Sequence, residues 1–271
     1  MKLRIMPARM GLTWMGHGLR ACIRQPLGFI GLWGLCIFVA LVVCELFAQL
    51  GLPALGPLLV VAVMPSVWMG FMLASRRVLS KQRVTPTVLL EPWRGQTTEI
   101  KWMWAKLGGA YLLATLLVMV LADLFGPGSD TLATAMKSAK DSSELMGNPD
   151  VQTAILWQFA LTLPVSLVFW HTPALVYWGK LSLVKALFFS AIATWRNLGA
   201  FALFGAGWMG LALGLVLLNG VLSAMLSEAM LVNVLVTMGA MWMASAFYAS
   251  LYFSVVDCFE SSEDFGAPPP R

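Results

Sequence analysis

Charged and strongly polar residues fall in short clusters along this chain and leave six long stretches almost wholly apolar. A helix needs about 20 apolar residues to cross hydrocarbon, where no water is present and only a structure that satisfies its own backbone groups is stable. The stretches run about 26–50, 55–74, 102–124, 151–177, 198–222 and 229–255. The second, fifth and sixth contain no Asp, Glu, Lys, Arg or His; the first holds only Glu45 and the fourth only His171. The third has Lys106 near one end and Asp123 near the other, where each side chain can snorkel to an interface. The pattern predicts an all-α polytopic membrane protein with six transmembrane helices. They form a single domain over residues 1–256, followed by an acidic, proline-rich tail, 257–271, expected to be disordered.

Composition agrees with the pattern. Hydrophobic residues make up 59% of the chain and charged ones 11%, against about a quarter charged in soluble domains. A net charge of +5 would suggest nucleic acid in a soluble protein. Here the placement of the charges argues for a membrane surface instead, and no nucleic-acid partner is expected. With the N-terminus inside, sixteen of the eighteen Lys and Arg residues fall in cytoplasmic segments, and only Lys137 and Lys140 lie outside. Retention of basic residues on the cytoplasmic side sets topology, so both termini are expected in the cytoplasm. The first apolar run is 25 residues long without a clear small-residue cleavage site, so it reads as a retained span rather than a cleaved signal.

Two segments carry an interfacial pattern. Before the first span, Thr13, His17, Arg20 and Arg24 recur at helical spacing, with Leu12, Met15, Leu19, Cys22 and Ile23 on the other face. This predicts an amphipathic helix lying on the cytoplasmic leaflet, with His17 solvated. A second, LSLVKALFFSAIATWRN, precedes the fifth span. With the basic stretch and TPTVLLEPWR before the third span, the order suggests a surface segment plus helical hairpin, used three times. Arg20, Arg24, Arg76, Arg77, Lys185 and Arg196 are the expected membrane-surface basic residues. The connection at 126–150 predicts a short helix capped by Ser129 or Asp130.

Little in the chain suggests chemistry. Ionisable groups inside spans are functional candidates because they are costly there. His171, in FWHTP between Pro164 and Pro173, could bind a ligand or serve a proton path. The alternative is a neutral imidazole bonded to a carbonyl that a proline has freed. Glu45, Asp123 and Glu228 share the outer level and would make a cation or amine site if they converged. Ala202, Ala206, Gly210 and Gly214 recur at every fourth position, a stripe that lets helices approach closely; packing within the monomer is the first expectation and dimerisation the second. Most of the tryptophans fall near span ends, as in an aromatic belt. The four cysteines have no disulfide or metal-ligand spacing and read as free thiols. No nucleophile elbow, zinc motif, P-loop or dinucleotide fingerprint occurs, so neither an enzyme nor a cofactor is expected.

The opening MKLRIMPARMGLTWMGHGLR and the stretch FWHTPALVYWGKLSLVKALFFSAIATWRNLGAF together resemble a family of small proteobacterial inner-membrane proteins of unknown function, typical of Burkholderia relatives. The second stretch is also distantly similar to the membrane domain found in front of some glycerophosphodiester phosphodiesterases. The resemblance covers roughly residues 1–257 and implies a bacterial inner membrane and a polytopic helical fold. It implies no activity or binding residues. The expected role is a non-enzymatic component that associates with membrane lipids, or with a protein partner or second copy. A small-molecule or ion transporter using the proline-broken fourth span, and an intramembrane enzyme acting on lipid, are the alternatives.

Overall fold

A computed structural model describes residues 2–95, 97–138, 145, 147–225 and 229–260. In chain order it contains β1 (Lys2–Leu3), α1 (Met10–Arg24), α2 (Pro26–Gln49), α3 (Leu55–Leu79), a 3-10 turn (Pro86–Leu89), α4 (Thr98–Phe125) and α5 (Ser129–Ser138). After these come α6 (Pro149–Phe169), α7 (Thr172–Tyr177), α8 (Leu183–Arg196), α9 (Leu198–Met225), α10 (Ala229–Cys258) and β2 (Phe259–Glu260). Among the described residues six helices are long and apolar enough to cross a membrane, counting α6 and α7 as one span. They match the six apolar stretches.

The fourth span is broken, as its prolines predict. Pro173 has no N–H to give the Phe169 carbonyl and its ring crowds that turn. The helix stops at Phe169, passes Trp170 and His171, and restarts at Thr172. Of the three expected surface segments, α1 and α8 are helices, while the middle one forms only the 3-10 turn.

Burial is concentrated at the end of the bundle that holds β1 and β2. Trp14, Phe71, Met72, Ala74, Leu175, Val176, Leu251 and Val255 are all wholly buried there. Towards the other end, Leu41 and Leu46 on α2, Val216 and Leu217 on α9, and Leu231 and Leu235 on α10 are exposed. Lipid tails are as apolar as leucine, so this surface costs nothing in hydrocarbon. Hydroxyls join the packed end: Ser75 on α3 donates to the Ala249 carbonyl at 2.8 Å, and Ser245 on α10 donates to the Phe29 carbonyl at 3.1 Å.

Helix α1 is held more closely to the bundle than its pattern alone predicts. It docks against α9 and α10 through Gly11, Trp14, Gly18, Ala21 and Cys22, and leaves Leu12 and Ile23 of its apolar face 50% and 63% exposed. His17 is half-buried with its ring 5.0 Å from that of Phe253, not solvated. The small residues decide this. Gly11 sits against the Ala200 carbonyl and Gly18 against Ser250 and the Ala246 carbonyl, approaches a side chain at either glycine would block.

The chain ends clasp each other. Strands β1 and β2 pair antiparallel, Leu3 opposite Phe259, and Arg4 N–H donates to the Cys258 carbonyl at 2.8 Å. Asn197 extends the clasp, accepting from Met6 N–H at 2.6 Å and donating to the Arg4 carbonyl at 3.1 Å. The expected domain boundary at 256 thus falls inside α10, and residues 257–260 belong to the folded part. The rest of the expected tail, 261–271, lies outside the described residues.

Candidate functional site

His171 lies in the gap between α6 and α7 and is wholly buried. Its Nε2 is 3.1 Å from Ser254 Oγ on α10. Ser254 Oγ also lies 2.8 Å from the Leu251 carbonyl, to which it can donate; the imidazole then donates through Nε2 and leaves Nδ1 as an acceptor. Nδ1 has no hydrogen-bond partner among the described residues. The rings of Phe201 and Phe259 stand edge-on to the imidazole at 5.4 and 5.5 Å.

Helix α8 repairs the break. His171 N–H donates to Ser190 Oγ at 3.2 Å in place of the Leu167 carbonyl, which instead accepts from Thr194 Oγ1 at 3.0 Å. Thr172 Oγ1 donates to the Val168 carbonyl at 2.9 Å. Hydroxyls thus take over where the helical ladder fails, as buried backbone groups require. The imidazole itself bonds to a serine hydroxyl rather than a freed carbonyl. Ser190, Thr194 and Ser254, all buried, were not among the residues singled out from sequence. The visible signal was the Ser190 and Thr194 pair, four apart on an otherwise apolar helix.

The pairing of Ser254 with His171 has the residue types of a nucleophile and its base. Among the described residues no group orients the imidazole from Nδ1, the part a third member plays in such pairs.

Of the three candidate carboxylates, Glu45 and Asp123 each engage a local partner. Glu45 is exposed and accepts from Gln49 Nε2 at 2.9 Å on its own helix. Asp123 accepts from Ser129 N–H at 2.6 Å, which makes Asp123, rather than Ser129 or Asp130, the residue that caps α5. Glu228 lies outside the described residues. Among those residues no three His, Cys, Asp or Glu side chains are grouped to hold a metal ion.

The small-residue stripe does not pack within the monomer as first expected. Ala202, Ala206, Gly210 and Gly214 are all exposed, and a side chain built at Gly210 or Gly214 would meet nothing. Helix α9 packs instead through Phe201, Phe204 and Trp208, each at least 93% buried. The aromatic face won because large rings fill the space between α1, α9 and α10, which the small residues would leave empty.

The basic residues divide. Arg20, Arg24, Lys185 and Arg196 are exposed. Arg76 is half-buried, and Arg77 is tied down, pairing with Glu91 and donating to Thr85 Oγ1 at 2.8 Å. Beside the exposed cations stand exposed apolar side chains. On α8 these are Val184 (77% exposed), Phe188 and Trp195; on α1 and the start of α2 they are Leu12, Ile23 and Leu27.

The four cysteines are free. Cys22, on α1 outside the spans, is wholly buried, and that burial pushes its thiol well above the usual range.

No family model matches the chain. It is similar to a protein of Burkholderia thailandensis named as a probable inner membrane protein, with 29% identity over 270 residues that cover 99% of this chain and 97% of that one. This chain is a multi-pass inner-membrane protein. The match spans the clasp, the broken span and all six apolar helices. No solved structure matches, and the likeness to the membrane domain of glycerophosphodiester phosphodiesterases is not shown by these comparisons.

Proposed function

We propose that the protein is a non-enzymatic component of the inner membrane that has both chain ends in the cytoplasm and gathers anionic phospholipid at that face. The observation that carries this reading is the exposed face of α8, where Val184, Phe188 and Trp195 stand beside Lys185 and Arg196. A helix docked on the bundle by its small and hydroxyl residues, with apolar and basic side chains turned outward, suits the boundary between acyl chains and headgroups. Helix α1 repeats the arrangement with Ile23, Arg20 and Arg24. Cytoplasmic leaflets are anionic, and each nearby Lys or Arg adds about 1 kcal/mol of attraction. Burial of His171 counts against a path through the fourth span, since a proton or solute route needs water at that depth.

The test is lipid analysis after purification in mild detergent. Wild-type protein should carry phosphatidylglycerol and cardiolipin above their share of the bulk membrane. Replacing Arg20, Arg24, Lys185 and Arg196 together by Gln should lower that excess several-fold while the unfolding temperature stays near wild type. Equal retention by the variant, or no enrichment in wild type, would reject the reading.

A further inference from the structure

At the end of the bundle away from β1 and β2, a cavity of about 670 Å³ opens between α4 and α6 beneath α5. Its size lies within the range of small-molecule sites. Met119, Leu132, Ile155 and Phe159 give it an apolar wall. Its lining on α6 runs from Val151 to Thr162, a rise of roughly 16 Å at the pitch of a helix. Only a few polar side chains face it. Gln158 and Thr162 do so deep in the span, hydrogen-bonded to each other at 3.1 Å, and Asp123 does so at the rim.

The charges at the rim select the occupant. A helix N-terminus ordinarily attracts an anion, but at α5 that place is taken by Asp123, whose Oδ1 accepts from Ser129 N–H. Its other oxygen has no protein partner among the described residues. On the opposite flank of α5, Asp130 and Asp150 line a second hollow. Lys137, on the same helix, lines neither. A carboxylate at the mouth of an apolar slot repels the phosphate of an ordinary phospholipid and attracts a cation.

We propose that this cavity binds a cationic amphiphile, with its hydrocarbon tail between α4 and α6 and an ammonium head at Asp123. The site stands at the opposite end of the bundle from the basic residues of α1 and α8 and does not depend on the lipid reading above.

The test uses the full-length protein in nanodiscs of neutral phosphatidylcholine, with radiolabelled dodecyltrimethylammonium as probe. Binding that excess unlabelled probe displaces is separated from partition into the bilayer. Wild type should show saturable binding. Ala154→Phe, which fills the slot, should abolish it, and Asp123→Asn should weaken it about tenfold, the effect of losing one charge contact. Dodecyl sulfate should not compete. The Gln variant at Arg20, Arg24, Lys185 and Arg196 should bind the probe as wild type does, so the two proposals fail separately. Circular dichroism and gel filtration check each variant's fold, and Ala122→Leu replaces Ala154→Phe if that chain does not fold. Non-saturable binding, equal binding by the slot-filling variant, or equal competition by dodecyl sulfate would overturn the proposal.

Discussion

Trp14 and Asp257, 243 positions apart, meet where α1 crosses the last turns of α10, and the indole Nε1 donates to Asp257 Oδ2 at 2.9 Å. Trp14 is wholly buried with its ring 5.2 Å from Phe201, so its N–H has no water to turn to. Asp257→Ala should destabilise the protein by about 1–3 kcal/mol, the cost of leaving a buried donor unmatched. Asp257→Asn, which keeps an accepting oxygen, should cost less. Thermal unfolding in detergent checks both, and an unchanged midpoint for the alanine variant would show that α1 is held by its apolar contacts alone.

Glycines at the docking seam should behave unlike glycines on the exposed stripe. Gly18→Val drives a side chain into Ser250 and the Ala246 carbonyl, so α1 must lift at a cost of about 1–3 kcal/mol. Gly210→Val meets nothing and should stay within about 0.5 kcal/mol of wild type. Comparing their unfolding midpoints tests the pose of α1. A change of gel-filtration volume confined to Gly210→Val would instead reveal a second copy on the stripe.

Sequence showed where the chain crosses the membrane but not how the helices meet. Spans are legible because each is a local property, an uninterrupted apolar run long enough for hydrocarbon. The break in the fourth span was legible from its prolines, although only Pro173 interrupts the helix and Pro164 lies within α6. The close docking of α1 was not legible because its amphipathic pattern shows which residues avoid water, whereas Gly11 and Gly18, which hold no place in that pattern, set its contact with α9 and α10. In a membrane the buried and lipid-facing sides are equally apolar, so the side of α9 that packs could not be read from hydropathy. The β1 and β2 clasp joins residues at opposite ends of the chain, and no local signal marks it.

The break in the fourth span should depend on α8. Thr194→Val removes the hydroxyl that serves the Leu167 carbonyl, and Ser190→Ala removes the acceptor for His171 N–H. Each should cost about 0.6–2 kcal/mol, the range measured for hydrogen bonds between membrane helices. Denaturant unfolding with matched controls at exposed Val184 and Phe188 reads this directly.

The buried thiols report on the clasp. Cys22 and Cys258 are wholly buried, so a maleimide should modify neither in the native protein while labelling both after denaturation. Phe259→Ala should make Cys258 react and leave Cys22 protected. Because burial raises the Cys22 thiol, whose unperturbed value is 9.0, the folded state holds it neutral where the unfolded chain ionises it. Its contribution to stability is therefore present below pH 9.0 and lost as pH rises further. Cys22→Ala should flatten that alkaline decline.

The proposed orientation, with both chain ends in the cytoplasm, puts α5 outside and α8 inside, on opposite faces of the membrane. In a background with the four native cysteines replaced by Ala, Thr131→Cys on α5 and Lys185→Cys on α8 are each exposed positions for a membrane-impermeant thiol reagent. In cells with an opened outer membrane, Thr131→Cys should react at once and Lys185→Cys only after the inner membrane is permeabilised. Reaction of both from the same side, or of Lys185→Cys alone from outside, would contradict the topology on which the headgroup layer and the outer cavity both rest.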